Sequence, residues 1–176
     1  MDAAEYDRKS TALFADWNMR LRADTHPALD GAVDPVRYFD PANTPRILFV
    51  LKEMNGTFWV PDSLIEFLDE HNTRGTTWNN VARWTRVIRS VYNGSTTDDL
   101  LDYDRHPGID REARIAELGR VAVMNLKKTP GTADSHMPTI NQHAESYGDL
   151  LGTQFELLDP DVVVACGVRL TDIHGL

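Results

Sequence analysis

Three short segments of uninterrupted apolar residues constrain the fold of this chain more than any other feature. They cover residues 47–51, 121–124 and 162–165, and none of them alternates between apolar and polar side chains. A strand with one face in water shows such alternation, whereas a strand covered on both faces is apolar throughout. The three segments therefore predict the strands of a buried parallel sheet with helices packed on both faces.

The residues around these segments show the period of amphipathic helices. One apolar stripe lies near the N-terminus, one between the first two predicted strands, and one between the second and third. A connection rich in Gly and Pro, residues 30–45, leads into the first strand. This order predicts an α/β fold, a single three-layer αβα domain over residues 1–176 with an N-terminal helix. The stripes consist of Leu13, Phe14, Trp17 and Leu21; of Val81, Trp84, Ile88 and Val91; and of Ile140, Ala144, Tyr147, Leu151 and Leu158.

Charge and cysteine content exclude several classes of protein. The 18 basic and 27 acidic residues give a net charge of −9, so contact with nucleic acid requires a local basic patch. The single cysteine, Cys166, excludes an internal disulfide, a four-cysteine zinc site and a cysteine-ligated iron–sulfur cluster. The six histidines lack metal-binding spacing, so we expect no metal and no cofactor. The N-terminus shows neither a basic region nor an apolar stretch, which favours a cytoplasmic protein without a membrane anchor.

Chemically useful side chains follow the first predicted strand, where ligands of open parallel sheets bind. The segment supplies a carboxylate, an amide, a cation, a glycine and two aromatic rings. Such a set is suited to positioning a water molecule and stacking a planar ligand. The carboxylate is equally suited to an ion pair or a helix cap, and the rings to a place in the core. The residues are Lys52, Glu53, Asn55, Gly56, Phe58 and Trp59.

The end of the second predicted strand carries an amide and two cations, Asn125, Lys127 and Lys128. An amide has donors and an acceptor with which it can read the edge of a base. Residues 71–97 and 118–133 contain no acidic residue. These two basic segments predict a surface that follows phosphates, although a solvated helix face has the same pattern. The first of them contains Arg74, Arg83, Arg86 and Arg89.

Three motifs together resemble the uracil-DNA glycosylase superfamily. Residues 49–56 resemble its first motif, G-E-x-P-G after an apolar strand, with Glu53 and Gly56 at matching positions. Residues 123–131 are similar to its second strand with the base-reading asparagine and a basic turn, and residues 147–167 to a helix, a proline and a strand ending in glycine. Lys52 and Asn55 replace the first glycine and the proline of the first motif. No H-P-S type motif follows Gly167, so the chain is either a C-terminally truncated glycosylase-like domain or one that functions without this motif.

The resemblance implies a monofunctional DNA glycosylase with a parallel four-stranded sheet. Its chemistry assigns Glu53, together with Asn55, to stabilising the sugar cation and orienting water, and Asn125 to reading a flipped-out base. Phe58 or Trp59 stacks on that base, and Gly56 leaves space beside C5 of a pyrimidine. The substrate is then uracil or a 5-modified pyrimidine, including a modified cytosine of phage DNA, in which case the enzyme serves phage defence. DNA is held by Lys52, Arg74, Arg83, Arg86, Lys127 and Lys128, and we expect a monomer.

Two other functions remain open from the sequence. The missing histidine motif and the net charge of −9 favour a non-catalytic relative that binds DNA or a nucleotide. A small-molecule transferase or hydrolase on a flavodoxin-like sheet is the third hypothesis. The chain has neither G-x-G-x-x-G nor G-x-x-x-x-G-K, so this third hypothesis lacks a phosphate-binding fingerprint.

Overall fold

The computed structural model describes residues 1–22, 25–55, 76–95, 111–131 and 134–168. Helices and strands follow one another along the chain, so the predicted α/β class is confirmed. The elements are α1 (Ala3–Arg20), β1 (Gly31–Ala32), α2 (Pro35–Tyr38), β2 (Ile47–Asn55), α3 (Thr76–Tyr92), α4 (Arg111–Leu118), β3 (Val121–Gly131), α5 (Met137–Ser146), α6 (Gly148–Leu158) and β4 (Val162–Ala165).

The four strands form one sheet in the order β1-β3-β2-β4. The three strands that the apolar segments predict, β2, β3 and β4, run parallel, with Ile47 paired to Val121 on one side and to Val162 on the other. A wholly parallel sheet is nevertheless wrong. The two-residue strand β1 pairs antiparallel with β3, because the connection before β2 runs along β3 in the opposite direction. It does so at Gly31, whose φ of 137° favours glycine.

Helices cover both faces of the sheet, an arrangement compatible with three αβα layers. Leu48, Val50 and Met124 belong to a core cluster that includes residues of α1, α5 and α6. Phe49 and Val123 belong to a second cluster, which includes residues of α3 and α4. Neighbouring residues of a strand point to opposite faces, so an uninterrupted apolar strand supplies both cores.

Two predicted apolar stripes differ from the structure. The stripe from Ile140 to Leu158 spans two helices, α5 and α6, which meet at Tyr147, where φ is −127°. Because both helices pack in the same layer, the apolar period continues across their junction. In α3, Trp84 and Val91 are 45% and 51% exposed instead of buried. The other two members of the predicted stripe, Val81 and Ile88, do pack in the second core cluster, and α3 also buries Ala82 and Thr85, so the buried face coincides only partly with the predicted stripe.

Helix α1 covers the outer edge of β1. The helix begins at Asp2, whose carboxylate accepts the backbone N–H of Glu5 at 2.8 Å. Its buried Tyr6 points its hydroxyl at β1 and accepts the backbone N–H of Ala32 at 2.9 Å. The same hydroxyl occupies the space that a side chain at Gly31 would need, 2.1 Å from the position of a Cβ atom. The N–H of Ala32 therefore has a partner in α1.

Candidate active site at the strand ends

Glu53 and Lys127 form an ion pair between the carboxyl-terminal halves of β2 and β3. The two residues are paired in the parallel register, and Lys127 Nζ lies 2.5 Å from Glu53 Oε2. Only 6% of the Glu53 side chain and 12% of the Lys127 side chain are exposed. Lys127 Nζ also donates to the carbonyl oxygens of Thr129 and Pro130, at 3.0 and 3.2 Å. Three oxygens therefore hold the Lys127 ammonium in place, and the ammonium in turn holds the Glu53 carboxylate in position.

A bulge in β3 creates the space for this carboxylate. Glu53 pairs with Lys127 and Asn55 with Gly131, so one residue of β2 lies opposite three residues of β3. The Glu53 carboxylate fills the space beside Gly131, where a Cβ atom would lie 2.1 Å from Glu53 Cδ. Only glycine permits this close approach. We call Glu53, Lys127 and Gly131 the strand-end cluster.

A second buried polar group surrounds Asp30, immediately before β1. The Asp30 carboxylate accepts from Lys128 Nζ at 2.6 and 2.9 Å and from Gln154 Nε2 at 2.7 Å. It also accepts the backbone N–H of Asn125 at 2.7 Å and Asn125 Nδ2 at 2.9 Å. Burial lowers the pKa of Lys128, an effect that the nearby Asp30 opposes. We call Asp30, Asn125, Lys128 and Gln154 the Asp30 cluster.

Asn125 belongs to the Asp30 cluster and lies in β3 two residues before Lys127. It pairs with Leu51, two residues before the Glu53–Lys127 pair, so the pleat places Asn125, Lys127 and Glu53 on the same face. Since the Asp30 carboxylate only accepts hydrogen bonds, the amide must turn Nδ2 towards it. Asn125 Oδ1 is buried, and no group in the described part of the chain pairs with it.

Lys128 does not fit the predicted phosphate contact. It is fully buried, its ammonium is bound to Asp30, and it lies 5.8 Å from the centre of the Trp17 ring. Neighbouring residues of a strand point to opposite faces, so Lys127 points to the Glu53 face of the sheet and Lys128 to the α1 face. Lys127 is engaged by Glu53, so the basic turn presents neither ammonium freely to solvent.

The other predicted site residues are partly outside the described residues. Gly56, Phe58, Trp59 and Arg74 lie there, and so does the side chain of Asn55, although its backbone ends β2. Lys52 lies over the turn after β4, where a Cβ atom on Gly167 would be 3.0 Å from Lys52 Cε.

The arginines of α3 are spread along the sheet and do not gather at its carboxyl end. Arg86 is exposed and Arg83 half-buried. Arg89 donates to the side chain of Asn43, which precedes β2 and therefore lies at the opposite end. Arg89 is therefore remote from the carboxyl ends of the strands, and Arg83 and Arg86 precede it in α3.

Asp30, Gln154 and His143 are polar residues that sequence reasoning missed. His143 lies over Trp17 and directs Nδ1 to the carbonyl of Leu126, at 3.2 Å. Burial lowers its pKa to about 4, so the ring is neutral at pH 7. Asp30 sits in a connection rich in Gly and Pro, and its partners are 95 or more residues away in sequence. No local pattern marks it.

A cleft of about 550 Å³ lies apart from the strand-end cluster, between α1 and the residues around β1. Among its lining residues are Tyr6, Ser10, Phe14, Asp30 and Gly31. None of the predicted site residues belongs to its described lining. Cys166 is half-buried, burial raises the pKa of its thiol, and Sγ lies 3.8 Å from the carbonyl oxygen of Val164. We assign Cys166 no catalytic role.

Comparisons of the chain with protein-family models, with curated proteins and with solved structures gave no match. Within the described ranges, no group of three or more His, Cys, Asp or Glu side chains is arranged to hold a metal ion. The helices formed by those residues include none that is long and apolar enough to cross a membrane.

Proposed function

We propose that the chain is a monofunctional DNA glycosylase that hydrolyses the N-glycosidic bond of a flipped-out pyrimidine nucleotide. One observation carries the proposal. The Glu53 carboxylate is nearly buried near the carboxyl end of the central strand β2, fixed by Lys127 and seated against Gly131. Ligands of open α/β sheets bind beyond this end of the strands.

The proposed reaction uses the negative charge of Glu53. When the bond between base and sugar breaks, positive charge develops on the sugar ring, and a fixed carboxylate stabilises it without reorganisation. The same group orients the attacking water, with Asn55 as its assistant. Lys127 is a positioning residue in this scheme, because its ammonium holds one oxygen of the carboxylate. Removing one preorganised electrostatic group from such a site slows reaction by about 10²–10³-fold.

Asn125 is the proposed base-reading residue. Its side chain lies on the same face as Glu53, and Asp30 holds its Nδ2, so a buried carbonyl oxygen is left to accept from a base. Uracil offers N3–H to such an acceptor and cytosine offers its amino group. The proposed substrate is therefore uracil or a 5-modified pyrimidine, including the modified cytosines of phage DNA. With the latter substrate the enzyme would act in defence against phage.

Lys52, Arg83 and Arg86 are the proposed contacts to DNA phosphate among the described residues. Lys127 and Lys128 are not proposed as phosphate contacts, because Glu53 engages Lys127 and because Lys128 is buried. Fewer phosphate contacts mean weaker binding and a shallower dependence on salt.

The ion pair also favours the second candidate function, a relative that binds DNA without releasing a base. An ammonium 2.5 Å from Glu53 Oε2 compensates the charge that the reaction requires. In such a binding protein the pair would serve only to join β2 to β3. The two functions make different predictions for one substitution.

The deciding experiment measures base release by wild type, Glu53→Gln and Glu156→Gln. Glutamine keeps the shape of Glu53 and an acceptor for Lys127, and Glu156 is an exposed control on α6. Each protein is incubated with oligonucleotides containing uracil and with DNA containing hypermodified cytosines. Alkali-labile abasic sites are then counted, and DNA binding is followed by fluorescence anisotropy at low salt.

A glycosylase forms abasic sites with wild type and Glu156→Gln and loses them in Glu53→Gln, with DNA binding retained. DNA binding without abasic sites in any of the three proteins identifies the non-catalytic relative. Absence of both binding and base release refutes both functions and leaves the small-molecule enzyme. Thermal unfolding of each variant verifies that it is folded.

A further inference from the structure

Strand β4 leaves one backbone edge unpaired in the described part of the chain. On its inner side, the N–H groups of Val162 and Cys166 donate to the carbonyls of Arg46 and Val50. Alternate residues of a strand direct their backbone groups to the same side. Val163 and Ala165 therefore direct their N–H and C=O groups away from β2, and no described strand lies beyond them.

Within β4 itself, this edge is apolar and has none of the residue types that usually protect an edge strand from pairing. All four residues of β4 are half-exposed, and none is charged or proline, the residue types that guard natural edges. On α3, the exposed Trp84 stacks on the buried Phe49 at 6.4 Å, and Phe49 pairs with Val164. An edge strand of this kind is a template for another strand.

The two ends of β4 carry opposite charges. Asp161 is exposed immediately before the strand, where its Oδ2 accepts the backbone N–H of Arg46 at 2.8 Å and lies 3.7 Å from Arg46 Nε, and the same arginine also pairs with Asp159. The two carboxylates outweigh the one guanidinium, so this end is negative. At the other end, Lys52 lies over Gly167. A Cβ atom on Gly167 would be 3.5 Å from Lys52 Nζ. A strand with the same charges that runs antiparallel to β4 would place its positive end beside Asp161 and its negative end beside Lys52. A second copy of β4 satisfies this condition.

We propose that β4 is the homodimer interface of this protein, in which two copies join antiparallel into one eight-stranded sheet. The outward groups of Val163 and Ala165 fix the register, because an antiparallel pair exchanges hydrogen bonds between outward-facing residues. With Val163 of one chain opposite Ala165 of the other, Val164 lies on the two-fold axis. Asp161 then lies opposite Gly167 and beneath Lys52 of the second copy. Each contact occurs twice, as two-fold symmetry requires.

This interface differs from the monomer that the sequence favours. It engages Lys52 with Asp161 of the second copy, so in the dimer Lys52 is not one of the proposed phosphate contacts, whereas the proposed roles of Glu53 and Asn125 are unaffected. The net charge of −9 per chain opposes association at long range, whereas the contacts of Asp161 with Lys52 act locally. Physiological salt screens charges more than about 8 Å apart, so dimerisation is expected at that ionic strength.

Sedimentation velocity of the full chain over a range of micromolar concentrations tests the proposal, with the monomer mass of 19.9 kDa as reference. Val164→Lys places two ammonium groups on the symmetry axis, and we expect it to raise the dissociation constant at least about tenfold. Lys52→Glu sets like charges against each other and should act in the same direction. Lys52→Arg keeps the charge and should retain the dimer. Val36→Lys, at a position on α2 that is 72% exposed, is the matched control.

A wild-type dimer that Val164→Lys and Lys52→Glu dissociate, and that Lys52→Arg and Val36→Lys leave intact, supports the proposal. A wild type that stays monomeric at every concentration overturns it. A dimer that survives both disruptive changes also overturns it, because association would then use another surface. Far-ultraviolet circular dichroism verifies the fold of each variant, and Lys52→Glu, at a half-buried position outside the apolar core, provides the test if Val164→Lys does not fold.

Discussion

Replacing Asp30 by asparagine tests whether the Asp30 cluster holds the fold together. The carboxylate accepts five hydrogen bonds from Lys128, Asn125 and Gln154, and the side chains of Asp30 and Lys128 are 1% and 0% exposed. Asparagine has the same shape but one acceptor oxygen, so its NH₂ group must face other donors. It also leaves the Lys128 ammonium without a buried counter-charge.

Breaking a buried ion pair by removing one partner costs about 3–5 kcal/mol. In a chain of this length each kcal/mol shifts the thermal midpoint by roughly 2–4 °C, so Asp30→Asn should lower it by about 6–20 °C. The whole free energy of unfolding of a domain is about 5–15 kcal/mol, so a loss of this size endangers folding at 37 °C.

Thermal unfolding followed by circular dichroism measures the effect. Asp149→Asn is the control, because Asp149 pairs with Arg20 at the surface, where water and salt screen the charges. The double variant of Asp30→Asn with Lys128→Met also removes the Lys128 ammonium that Asp30→Asn leaves without a counter-charge. It should recover part of the loss in the thermal midpoint. A midpoint for Asp30→Asn no lower than that of Asp149→Asn would refute the reasoning, since Asp30 and Lys128 would then have access to water.

Two further predictions concern Gly131 and His143. Gly131→Ala places a methyl group 2.1 Å from Glu53 Cδ, so we expect a loss of about 1–3 kcal/mol in unfolding free energy. Displacing the Glu53 carboxylate should also reduce base release by about 10²-fold, whereas unchanged stability and activity would show that Glu53 is not confined. The pKa of His143 falls from 6.5 to about 4 on folding, so the native state binds fewer protons and stability decreases as pH falls from about 6.5 to about 4. His143→Asn, which preserves the donor to Leu126, should flatten this dependence in urea unfolding at several pH values; a parallel profile in both proteins would contradict the prediction.

The sequence predicts those parts of the fold that depend on local patterns. Uninterrupted apolar residues mark β2, β3 and β4 because each strand is covered on two faces. The apolar pattern does not predict the polar ends of β2 and β3, because their charged residues are typical of a loop. Glu53 and Lys127 are accommodated in the strands because each compensates the charge of the other. Strand β1 escapes it as well, because two residues are too few to show a period.

The candidate site was only partly predictable for the same reason. Glu53 and Asn125 stand out because polar residues directly after apolar strands are conspicuous. Their partners are not conspicuous: the Lys127 contact depends on strand register, and Asp30 reaches Lys128 across 98 residues. Two neighbouring lysines look equivalent in a sequence, and the register of β3 against β2 decides which one faces Glu53 and which one is buried.

The hydroxyl of Tyr6 has a consequence for the size of any assembly that this protein forms. A sheet with two free edges adds further molecules at either side and grows into a fibre. Here the Ala32 N–H on the outer side of β1 is already bound to Tyr6. Polymerisation through strands would need both sides, and α1 obstructs one of them. Association through β4 is therefore self-terminating: after the first partner binds, the described strands offer no further free edge.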